Sequence, residues 1–213
     1  MNHYPLIAYI SLFSPILPIG IGISKIMSLY RGMKILFFYL IVAFMADIFL
    51  MWSVRGYQFN LGLFHAYYLV EYIFIMSIIS VWQESHRMKR IFPTLMFLYI
   101  LFWVIAKVTF EPLNGLYSVT ASTSQVLLTL SAGYTLFVVV GNRTHPLMNH
   151  HRFWVLLSFV IFYAGTLLTI ALRGILLHYS LENLFLVTTL DWSLKILFNI
   201  LFTIGFLCPQ TQT

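Results

Sequence analysis

The sequence predicts an all-α integral membrane protein: a bundle of seven transmembrane helices with the N-terminus outside and the C-terminus in the cytoplasm. Three observations predict it. Of 213 residues, 61% are apolar and only 8% are charged, where a soluble domain carries about a quarter charged residues. The mean hydropathy is +0.90, and the apolar residues gather into stretches long enough to cross a hydrocarbon core of about 30 Å, which takes about 20 residues per helix. The basic residues gather into alternate connectors. A chain this apolar could not cover its surface in water, so its solvent is lipid and its partner is the bilayer.

The spans fall at 5–27, 33–54, 60–82, 91–109, 118–141, 152–172 and 183–207. The first has no basic stretch before it and no small-residue cleavage site after it; Lys25 and Arg31 follow its apolar run. That order reads as an uncleaved first helix. Pro15 and Pro18 within it would kink it or free a carbonyl. The second span carries Asp47, the third Glu71, and the fourth ends near Lys107. The fifth opens on the polar run 118–125, and the sixth places Thr166, Thr169 and Arg173 on one face. The seventh holds both an acid, Asp191, and a base, Lys195.

The connectors are 30–32, 55–59, 83–90, 110–116, 142–151 and 173–182. Lys25, Arg31, Lys34, Arg87, Lys89, Arg90, Arg143 and Arg152 lie in or beside the first, third and fifth; Arg55, Lys107 and Arg173 lie on the other side. The positive-inside rule then puts the odd connectors in the cytoplasm. This accounts for the net charge of +6 as a topology signal, with no nucleic-acid partner implied. No connector is long enough for a separate domain, so residues 1–213 read as one integral membrane domain of a multi-pass cell-membrane protein, of the bacterial inner-membrane kind. Cys208 is the single cysteine, which leaves no intramolecular disulfide to form. Asn142-Arg143-Thr144 fits a glycosylation sequon, but in a cytoplasmic loop it would go unmodified.

In lipid the informative residues are the costly ones. A charge at the centre of a span costs about 2.5–3.5 kcal/mol on insertion scales, so such groups face the bundle and mark sites. Asp191, Lys195 and Asn199 follow one another at intervals of four, on nearly one helix face, with the acid N-terminal to the base as an ion pair prefers. His65, Tyr68 and Glu71 (with Tyr72) form a second stripe at helical spacing. Glu71 and Lys195 sit at similar depth, which suggests a pair between the third and seventh helices. Asp47 reads as a protonated acid bonded to a neighbouring helix or as a ligand contact. Asp47, His65, Tyr68, Glu71, Asp191, Lys195 and Asn199 are therefore the candidate ligand-binding residues. Tyr67, Tyr68 and Tyr72 serve equally as packing aromatics, and Gln125 and Thr129 as helix-packing groups. His86, His145, His150 and His151 show no metal-site spacing. With no nucleophile elbow, phosphate loop or zinc motif, the chain reads as a non-enzyme.

Two resemblances follow from these residues. Asp191-Trp192-Ser193-Leu194-Lys195 resembles the D-x-x-x-K of microbial rhodopsins. That resemblance implies retinal as cofactor, bound as a Schiff base on Lys195, with Asp191 and Glu71 as counterions. The chain departs from the family in lacking an arginine before the acid of the third span and W-x-x-Y-P in the sixth. The pattern His65-x-x-Tyr68-x-x-Glu71-Tyr72 and the Trp192 and Asn199 of the last span are similar to small seven-span membrane proteins of Bacteroidota-type bacteria; this second likeness implies no activity. The expected function is a sensor or receptor subunit that binds a small ligand or ion and acts through a cytoplasmic or membrane protein partner. A small-solute or proton-coupled transporter and a retinal photoreceptor are the alternatives.

Overall fold

The computed structural model describes residues 5–55, 61–113, 119–141, 147–176 and 181–209. All the regular structure in them is helical: α1 (Leu6–Phe13), α2 (Ile16–Lys25), α3 (Arg31–Arg55), α4 (Leu61–Val81), α5 (His86–Thr109), α6 (Val119–Gly141), a 3-10 turn (Leu147–Asn149), α7 (His151–Leu176) and α8 (Leu181–Leu207). Lipid offers no hydrogen-bond partners, and a helix satisfies its backbone internally, so this is the form expected of apolar stretches that long. Among the described residues, 7 segments are long and apolar enough to cross a membrane, from Leu6–Lys25 to Leu184–Leu207. Each falls on one of the windows read from the sequence. The sequon at 142–144 and His145 lie outside the described residues.

The first window is not one unbroken helix. It divides at Ser14 and Pro15 into α1 and α2, because Pro15 and Pro18 have no N–H to give to the carbonyls four residues earlier. Ser14 Oγ donates to the Ser11 carbonyl at 2.7 Å, supplying the bond that Pro15 cannot.

The chain packs as two compact units: a middle unit, Tyr30–Ser131, and a terminal unit made of Met1–Leu29 and Ala132–Thr213. In the middle unit α4 packs on both α3 and α5. Connectors of a few residues between helices this long force neighbours to run antiparallel. Met33, Leu36, Leu40, Ile75, Met76 and Ile79 are fully buried, and the rings of Tyr72 and Tyr99 pack 4.0 Å apart between centroids. Gly32 lies directly against the Trp82 indole, which brings the start of α3 close to the end of α4.

In the terminal unit α7 and α8 are the most closely packed pair, and α1 and α2 both lie on α8. Gly165 faces the Leu194 side chain, and Gly205 faces that of Val155, so at these two points a side chain of one helix packs on the bare backbone of the other. An aromatic core fills their seam: Phe162 stacks on Phe198 at 4.3 Å, and Phe198 meets Phe202 at 4.1 Å. Lys25, at the end of α2, donates to the carbonyls of Phe206 at 3.0 Å and Leu207 at 3.2 Å. A cation there answers the partial negative charge of the α8 C-terminus.

Candidate functional site

At one end of α4 and α5 the middle unit brings three ionisable side chains together: His65, Lys107 and Glu111. Lys107 stands in the last turn of α5. Its ammonium can only donate, and it donates to His65 Nδ1 on α4 at 3.0 Å. Lys107 also pairs with Glu111, which sits just past the end of α5 and bonds through its own N–H to the Ala106 carbonyl at 2.8 Å. His65 Nδ1 lies 3.6 Å from the same Glu111 oxygen.

Glu111 also reaches the start of α6. It accepts from the Thr120 backbone N–H and from Thr120 Oγ1, each at 2.9 Å. The carboxylate therefore satisfies one of the N–H groups that a helix start leaves without a partner, at the positive end of the helix dipole. Tyr99 OH donates to the Thr120 carbonyl at 3.0 Å and fixes the same turn. These groups are almost wholly withdrawn from the surface: the side chains of His65, Lys107 and Glu111 are 3%, 7% and 5% exposed. The Lys107 ammonium also lies 5.6 Å from the centre of the Trp103 ring, within cation–π range. The Trp103 indole N–H is buried and has no acceptor among the described residues.

Further along α4, Glu71 is buried and accepts from Tyr39 OH on α3 at 2.7 Å. Tyr67 is hydrogen-bonded to Tyr39 and lies in the field of both Glu71 and Asp47. Asp47 and Tyr68 are half-buried. Of the residues expected from the sequence, the middle unit thus holds Asp47, His65, Tyr68 and Glu71. No family model, curated protein or solved structure matches this chain.

The terminal unit holds Asp191, Lys195 and Asn199. Asp191 accepts from Thr169 Oγ1 at 2.5 Å and is ion-paired with Arg173. Its described partners thus lie on α7, on the face that the spacing of Thr166, Thr169 and Arg173 had marked. Lys195 is half-buried on α8. Asn199 is buried, and its Nδ2 donates to the Lys195 carbonyl at 3.0 Å and to Ser14 Oγ at 2.8 Å. Its role is to tie α8 to the break in the first span. Glu71 and Lys195 lie in different units, and each is described by the groups of its own.

Sequence reasoning passed over Lys107, Glu111, Thr120 and Tyr39. Lys107 had counted only as a topology charge and Glu111 only as part of a connector. Their spacing of four was the available signal. His150 and His151 stack with ring centres 4.8 Å apart. Among the described residues, no group of three His, Cys, Asp or Glu could hold a metal ion.

Proposed function

We propose that this chain is a multi-pass membrane sensor or receptor subunit. In this reading it binds a small polar or charged ligand at the His65–Lys107–Glu111 network of its middle unit. The observation that supports it is the burial of three ionisable side chains in mutual contact within a lipid-solvated unit. As stability alone, such a network is a poor investment: apolar residues of similar volume usually serve as well or better. Groups that can exchange one partner for another are what a binding site needs. A ligand anion would compete with Glu111 for Lys107, and a ligand cation would compete with Lys107 for Glu111. The Trp103 N–H supplies a donor without an acceptor among the described residues, a state that otherwise costs about 1–3 kcal/mol.

The protein carries out no chemistry of its own in this reading and passes occupancy to a protein partner. It lies in the cell membrane with its N-terminus outside. The odd connectors and their basic residues then face the cytoplasm, and the network lies toward the outer ends of α4 and α5. With Cys208→Ser as background, single cysteines placed at residues 58, 113 and 178 should be labelled by an impermeant maleimide in intact cells. One placed at 85 should not, and the reverse pattern would invert the topology.

Binding is tested by thermal unfolding of the purified protein against a panel of amino acids, polyamines and inorganic ions. A ligand of this site raises the midpoint of the parent, and Glu111→Gln or Lys107→Met abolishes the rise. A panel without effect on the parent, or a rise unchanged in both variants, removes the site.

A second reading, a carrier, draws on the break between α1 and α2 and its tie to Asn199, since interrupted helices form the substrate sites of many transporters. Uptake or proton flux in proteoliposomes, lost in Asn199→Leu, would favour it over a sensor.

A further inference from the structure

Two groups stand out among the described cations of this protein. Lys25, Lys107 and Arg173 are each bound to carbonyls or carboxylates of the chain. Arg31, Lys34, His86, Arg87, Lys89 and Arg90 are all exposed, and their side chains make no hydrogen bond or ion pair among the described residues. These six share one end of the middle unit. Arg31 opens α3 and His86 opens α5; α4 returns between them, and the Gly32–Trp82 contact joins the start of α3 to the end of α4. Glu84 is the acid described at that end.

Their position is electrostatically the wrong one. The first turn of a helix carries partial positive charge and favours Asp or Glu, yet neither α3 nor α5 has an acid in its first turn. Cations crowded there repel the helix dipole and each other, and among the described residues Glu84 is the acid set against them. Both helices also begin membrane-spanning segments at these residues, Arg31–Met51 and His86–Thr109, so the side chains emerge where hydrocarbon gives way to headgroups.

We infer that this end of the middle unit is a docking surface for anionic phospholipid headgroups, held by Arg31, Lys34, Arg87, Lys89 and Arg90. Guanidinium groups grip a phosphate through two parallel N–H donors, and lysines add point charges. The lipid phosphates supply the negative charge that the two helix starts lack. This goes beyond ligand binding at His65–Lys107–Glu111, which lies toward the opposite ends of α4 and α5 and does not depend on it.

The test uses the full chain in nanodiscs of phosphatidylcholine, with or without 30% phosphatidylglycerol (about one lipid in three), and reads the unfolding midpoint. The parent is expected to be more stable in the anionic discs, with the difference falling as salt is raised. Native mass spectrometry should show retained phosphatidylglycerol in preference to phosphatidylcholine. Arg87→Gln/Lys89→Gln/Arg90→Gln should cut that preference by on the order of tenfold or more, while Arg87→Lys/Arg90→Lys keeps most of it. Arg31→Gln/Lys34→Gln provides a second neutralised variant on the other helix. Equal midpoints in the two discs would overturn the inference, as would a preference unchanged in both neutralised variants. So would an acidic peptide in neutral discs that reproduces the whole stabilisation, since the partner would then be protein.

Discussion

Replacing Glu111 by glutamine tests the buried network most directly. Glutamine keeps the shape, and its one oxygen can still accept from the Thr120 N–H, while the amide nitrogen in place of the other oxygen can only donate to Thr120 Oγ1. What is lost is the charge facing Lys107, whose side chain is 7% exposed. Removing one partner of a buried pair costs about 3–5 kcal/mol, because the other charge is left uncompensated. At about 2–4 °C per kcal/mol for a chain of this size, Glu111→Gln should lower the unfolding midpoint by roughly 6–20 °C. Lys107→Met should cost less. There Glu111 keeps both Thr120 donors at 2.9 Å and the α6 dipole, a term of up to about 2 kcal/mol. The double variant should be more stable than Glu111→Gln alone, since no stranded cation remains. Thermal unfolding in detergent, followed by circular dichroism, gives all four corners of the cycle. A coupling of about 2 kcal/mol or more is expected, against a mean of about 0.6 kcal/mol for interhelical hydrogen bonds in membranes. Additive single effects would refute the argument that these charges depend on each other.

Three further outcomes follow from separate features. Gly32→Ala should destabilise by about 1–3 kcal/mol, the usual cost of overpacking, because a Cβ there would meet the Trp82 indole; an unfolding midpoint equal to the parent's would show that Trp82 moves aside freely. Cys208 is buried at the end of α8, and burial raises its thiol above the ordinary range while nearby Lys25 opposes the shift. Alkylation by iodoacetamide should therefore stay slow at neutral pH and accelerate only as pH rises through the raised value, with Lys25→Met slower still at any given pH. Fast labelling of the folded protein at pH 7 would contradict this. All-trans retinal should give only the absorption of the free aldehyde, because the acid one turn from Lys195 is already engaged by Arg173 and Thr169; a red-shifted band that disappears in Lys195→Ala would instead give Lys195 the role its motif suggests.

The spans were readable because lipid imposes a length and an apolarity that composition cannot hide. The prolines of the first span announced its break, and His65 and Glu71 stood out as polar groups in an apolar run. The partners of those residues were another matter. Glu111 falls one turn beyond Lys107, past the end of α5, where an acid reads as part of a solvated connector. It becomes buried only because the chain folds back and presents the Thr120 N–H to it, and helical periodicity carries no information about that return. Tyr39 is one phenol among 13 tyrosines, and only its position opposite Glu71 distinguishes it. Asn199 lay on the face shared by Asp191 and Lys195, yet its side chain serves the backbone break at Ser14. Spacing identifies which residues share a face, while burial and the neighbouring helix decide what they bind.

Two ion pairs among the described residues allow that last point to be measured. Lys107–Glu111 and Arg173–Asp191 both join a cation near a helix C-terminus to an acid that also accepts from a threonine hydroxyl. Their main difference is exposure: 7% and 5% for the first pair, 41% and 23% for the second. Where one partner reaches water, the loss of the other is met by hydration, and such pairs are worth about 0–1 kcal/mol. Arg173→Gln should therefore lower the unfolding midpoint by no more than a few degrees and lose that effect at high salt, while Glu111→Gln keeps its full cost there. If Arg173→Gln proved as damaging as Glu111→Gln, Asp191 would have to be shut off from water as completely as Glu111. The functional weight placed on the His65–Lys107–Glu111 network would then be shared by the terminal unit.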